Sequence, residues 1–192
     1  MTEPTESRDR PDPESLRELG ESSTNVSNAW AGADEYLSQG LVQWVRRTLF
    51  SDQKAAVKAA IAACRLVVES YPTDGADAQA PKQYIDDMLA KVQRWIDNPS
   101  NINKESVRSS IDTTRQLHAW QGHAESAHFW ILEAVDHASL AVWAGERSSY
   151  IVPLDFSTCA ARSLACVLHA LLVSGTAEQQ AIDLLTGVVT TV

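Results

Sequence analysis

Asp52-Gln53-Lys54-Ala55-Ala56-Val57-Lys58-Ala59-Ala60-Ile61-Ala62-Ala63-Cys64-Arg65-Leu66-Val67-Val68-Glu69-Ser70-Tyr71-Pro72-Thr73-Asp74 is the stretch on which the fold turns. Asp52 is a good N-cap, because its carboxylate can accept from the free backbone N–H groups of a first helical turn. Beyond it the run is apolar almost all round, and only Lys54, Lys58, Arg65 and Glu69 form a polar stripe. A helix with so narrow a wet face must bury the rest against other helices, so the spacing predicts a central helix reaching Ser70. Tyr71-Pro72 ends it, since the residue before proline is pushed out of helical space.

Working outward, the same period recurs. Asn28–Ser38 and Leu41–Leu49 read as two helices split by Gly40. After an acidic loop over Thr73–Ala80, Pro81 suits a first helical turn, and Tyr84, Ile85, Met88, Leu89, Val92, Trp95 and Ile96 follow at three- and four-residue steps. Asn98-Pro99-Ser100 stops that helix, and Asn101 or Asn103 caps the next, toward Leu117. Residues 123–144 form a broad apolar face, and Asp155 caps a very apolar helix through Val173. Thr176 and Gln179 are spaced as a capping box for the last helix. No alternation of period two persists, so a sheet is not predicted. The expectation is an all-α, single-domain bundle of about seven helices over residues 26–192. Residues 1–25, with seven acids and three bases, read as a disordered acidic tail with a short helical turn at Pro13–Leu19.

Composition narrows the function classes. A net charge of -9 argues against nucleic acid as the partner, since such binders carry basic patches. The three cysteines, Cys64, Cys159 and Cys166, lie in apolar helical runs and read as reduced core thiols. Met1-Thr2-Glu3-Pro4 has no signal-peptide character, and no apolar stretch reads as long enough to span a bilayer, so a cytoplasmic location without membrane contact is expected.

Candidate chemistry is sparse. Glu125, His128, Glu133 and His137 include two Glu/His pairs one helical turn apart, half of what a carboxylate-bridged metal site needs, so a metal-binding bundle enzyme or sensor is the alternative reading. Cys166-x-x-His169, with Cys159 one heptad earlier, lies mid-helix and reads as core packing rather than a zinc site. No nucleophile elbow or phosphate loop occurs, so neither an enzyme nor a cofactor is expected. Tryptophan is favoured at interface hot spots, and of the six in the chain Trp120 and Trp130 stand nearest a break or the edge of an apolar face. Asp74, Asp77, Asp86 and Asp87 cluster around one loop and helix start.

The segment Ala63–Asp74, followed by Ala80-Pro81-Lys82 and Lys91-Val92-Gln93-Arg94-Trp95, resembles a family of small helical bacterial immunity proteins of polymorphic toxin systems. Val107-Arg108 and the Gly122-His123-Ala124 block with His128 extend the likeness, which covers about residues 52–145. Lys82 stands where the family has arginine, the family's Ala-rich helix is here Ser109–Gln116, and the Gly-His-Ala block is one residue short. The resemblance implies an all-helical cytoplasmic protein that neutralises a cognate toxin without catalysis. The acidic charge suggests that the toxin is basic, and the residue reading itself makes Asp74, Asp77, Asp86, Asp87, Trp120 and Trp130 the candidate contacts. A homo-oligomer stays open.

Overall fold

The computed structural model describes residues 10–21, 35–71, 76–114, 126–144 and 155–192. Among them the chain is all-helical, with eight α-helices: α1 (Pro13–Glu21), α2 (Glu35–Leu49), α3 (Gln53–Arg65), α4 (Ala76–Asp97), α5 (Asn101–Thr114), α6 (Ala127–Trp143), α7 (Phe156–Val173) and α8 (Glu178–Thr190). A short 3-10 turn, Val68–Ser70, follows α3.

The local signals at Asp52 and Asp155 act as the sequence predicts. Asp52 accepts from Ala55 N–H at 2.9 Å and Asp155 from Thr158 N–H at 2.7 Å. Lys54, Lys58, Arg65 and Glu69 are exposed, as the narrow stripe requires. α3 nevertheless ends at Arg65, not Ser70. From Leu66 onward the backbone bonds run to the third residue back, as in Leu66 N–H to Ala63 O and Tyr71 N–H to Val68 O, so the last turn tightens before Pro72.

The central position belongs to α7. Fourteen of its eighteen residues are buried, and it packs against α6, α2, α3 and α8. It is long and apolar enough to cross a membrane by length and composition, contrary to the sequence expectation, yet most of it is buried inside the protein. It runs antiparallel to α6: Ser163 Oγ donates to Ala134 O at 2.7 Å, and further along α7 His169 stacks on Trp130, which lies earlier in α6. Gly175, with φ +87, closes α7 as Thr176 N–H reaches Leu171 O and Gly175 N–H reaches Leu172 O. Thr176 and Gln179 form no capping box: Ala177 is the N-cap of α8, and Gln179 donates to Asp183 instead.

Gly40 does not divide two helices. α2 runs through it, and the glycine serves close packing instead: a Cβ there would fall onto the carbonyl oxygen of Leu16 in α1. Gly20 of α1 is under the same constraint, against the Tyr36 carbonyl of α2. Glycine mid-helix costs about 1 kcal/mol against alanine, a cost set here against backbone contact between α1 and α2. The segment expected as a tail thus carries a packed helix, with Leu16 wholly buried and Arg17 paired with Glu178 of α8. α4 starts five residues ahead of Pro81, its first turns built from Ala-rich sequence, and Pro81 lies buried inside it. α5 is capped by Ser100, whose Oγ accepts from Asn103 N–H, so neither asparagine is the cap.

Candidate functional site

The apolar residues that α2 buries are Leu37, Leu41, Val45 and Leu49, one per turn. That register turns Gln43, Arg46, Arg47 and Phe50 outward, again at steps of three and four. The α2 end meets the start of α7, and between them lies a groove of about 590 Å³ lined by those four residues with Asp155, Phe156 and Ser157. Phe50 is 69% exposed.

The charges of the groove are unevenly matched. Asp155 caps α7 with both oxygens, taking Thr158 N–H and Ser157 Oγ–H on Oδ1 and Thr158 Oγ–H on Oδ2 at 2.8 Å. Partial burial pushes its carboxyl up, but those hydrogen bonds, with Arg46 adding, outweigh burial and hold it below the ordinary aspartate value. Arg46 reaches Asp155 only at 3.7 Å, beyond hydrogen-bond length. Arg47 is exposed and forms no ion pair among the described residues.

The residues singled out in the sequence fall elsewhere. Asp86 and Asp87 are exposed on α4, but each is paired one turn away, with Lys82 and Lys91, so that face is locally balanced. Asp74, Trp120 and Glu125 lie outside the described residues, and Asp77 is placed by its backbone alone in α4. Trp130 is interior: 4% exposed, its ring stacks on His169 at 4.3 Å and 20°. The indole is therefore core, not surface, because α7 covers that part of α6.

Among the described Glu/His candidates, only Glu133 and His137 approach, at 4.0 Å. His128 is exposed and its ring lies 5.1 Å from that of Tyr71. Burial, then the Arg162 charge, brings His137 down to about 4, while burial and then Asp136 raise Glu133. No three His, Cys, Asp or Glu residues among those described converge as a metal site.

The other reactive side chains are turned inward. Cys64, Cys159 and Cys166 are buried free thiols, and burial pushes Cys64 and Cys159 up to about 12. His169, fully buried, meets Ser38 Oγ at 2.9 Å through Nε2, and burial lowers it to about 4. At neutral pH these thiols are protonated and these two imidazoles neutral, which suits packing better than proton or acyl transfer.

Sequence reasoning missed the groove. The spacing of Gln43, Arg46, Arg47 and Phe50, with two adjacent arginines in an acidic chain, was the available signal. Asp155 and Phe156 come from over a hundred residues away, and nothing local joins them to α2. No protein-family model, no curated protein and no solved structure matches this chain.

Proposed function

We propose that this chain is a non-enzymatic, immunity-like protein: a single-domain helical bundle that neutralises a cognate bacterial toxin in the cytoplasm by occluding its active surface. One observation carries the reading. The α2/α7 groove presents Phe50 together with Arg46 and Arg47 on the outside, and aromatic and guanidinium groups are the side chains that anchor protein interfaces. The described thiols and His169, in contrast, are spent inside. The resemblance over residues 52–145 supplies the class of partner, and the net charge of -9 favours fast capture of a basic toxin.

The test is capture of the toxin encoded by the neighbouring reading frame, scored by calorimetry and by inhibition of the toxin's activity. A stable complex that silences the toxin is the expected result. Absence of binding at micromolar concentrations of both proteins would refute the reading. Reversing Asp86 and Asp87 to lysine should slow association and weaken its salt dependence, because each carboxylate already has a lysine beside it and contributes mainly to the long-range field.

A further inference from the structure

We infer that the α2/α7 groove seats a carboxylate-bearing segment of a protein partner, with the acid held by Arg46 and Arg47 and an apolar neighbour laid on Phe50 and Phe156. The inference rests on the partner-capture reading and deepens it, by assigning the chemistry of one contact. Its first support is an imbalance of charge. Two guanidinium groups line the groove against one carboxylate, and that carboxylate has both oxygens committed to capping α7. Arg46 lies 3.7 Å from it and Arg47 is exposed to solvent. Neither guanidinium has a hydrogen-bonded acceptor among the described residues. A guanidinium fork matches a carboxylate in plane and spacing, which makes an incoming acid the natural complement.

The second support is apolar. Phe50 projects at 69% exposure beside the half-buried Phe156, so an occupant with a hydrophobic residue next to its acid gains from both. A volume of about 590 Å³ suits a few residues of extended chain.

The rest of the protein excludes a polyanion. With a net charge of -9, a nucleic acid extending past the groove would meet repulsion along its length, whereas a single acidic segment feels only the charge within about 10 Å. An acidic segment is compatible with a toxin that is basic overall: the field of the whole chain draws the partner in, and the groove takes one local acid.

The probe is the tetrapeptide acetyl-Asp-Phe-Glu-Leu amide, titrated into the full chain and followed by amide chemical shifts. Shifts should concentrate in residues 43–50 and 155–157. Affinity should fall roughly tenfold when Asp and Glu of the peptide become Asn and Gln, and by a similar factor in the Arg46→Gln, Arg47→Gln double variant. Phe50→Ala, an exposed position that leaves the fold intact, should weaken binding without changing its salt dependence. Shifts scattered over the surface, equal binding of the amide peptide, or an unaffected double variant would each overturn the assignment, as would tighter binding of a short single-stranded DNA. The toxin experiment stays separate. A toxin captured equally well by a chain whose groove binds no peptide removes the groove and leaves the function, and a peptide bound in the groove of a chain that captures no toxin does the reverse.

Discussion

Acidification should destabilise this protein from well above the pH at which ordinary carboxylates titrate, and the reason lies in two imidazoles. His169 is fully buried between Ser38 of α2 and Trp130 of α6, and His137 packs against α7 with Arg162 near it. Both are brought from 6.5 to about 4, chiefly by burial. The unfolded chain therefore binds two protons, near pH 6.5, that the folded chain refuses until about pH 4. Between those values the unfolded state holds more protons, so stability must fall as pH falls. At about pH 5.5 each histidine costs roughly 1.4 kcal/mol, since one pKa unit is worth about that much. Together they remove on the order of 2–3 kcal/mol relative to about pH 7.5, a large share of a typical domain's stability. Glu133 works the other way: its raised carboxyl is protonated more readily in the fold, which offsets a little of the loss at the acid end. Asp155, held below 3.8, adds its own loss only at lower pH.

The assay is urea unfolding followed by tryptophan fluorescence at about pH 7.5, 6.5 and 5.5, all above the isoelectric point of about 4.9. With a slope near 2 kcal/mol/M, the midpoint should drop by about 1–1.5 M across that range. His137→Gln and His169→Gln should each remove about half of the drop, whatever they do to stability at neutral pH. A midpoint independent of pH, or a full drop retained in the double variant, would refute the reasoning.

Other outcomes follow from single contacts. Gly40→Val should detach α1, because the new side chain meets the Leu16 backbone; expected signs are faster proteolysis within 10–21 and a loss of several kcal/mol, while Gly187→Ala, with open space around it, should be neutral or slightly stabilising. Asp155→Ala should cost about 1 kcal/mol in urea unfolding through the lost cap, and should strengthen acidic-peptide binding by leaving Arg46 without its neighbouring charge. The three thiols should react with a disulfide reagent only on unfolding, at the rate of global opening; rapid labelling of the native protein would contradict their burial. In a toxin complex seated on the groove, Phe50→Ala should weaken binding by about 1.5–3 kcal/mol, roughly ten- to hundredfold in Kd.

The amino-acid sequence by itself determined the helical class, the caps at Asp52 and Asp155 and the wet stripe of α3. Each of these depends on residues within about one turn of one another, and local spacing encodes such relations directly. Tertiary structure decided the rest. It made α7 rather than α3 the central helix, carried α2 straight through Gly40, drew Trp130 into the core against His169, and set Arg46 and Phe50 beside Phe156. Every one of those outcomes joins residues that are distant in the chain, and which helix faces meet is fixed by the packing of all of them together. A glycine, a tryptophan or an arginine pair carries no local mark of the surface it will face.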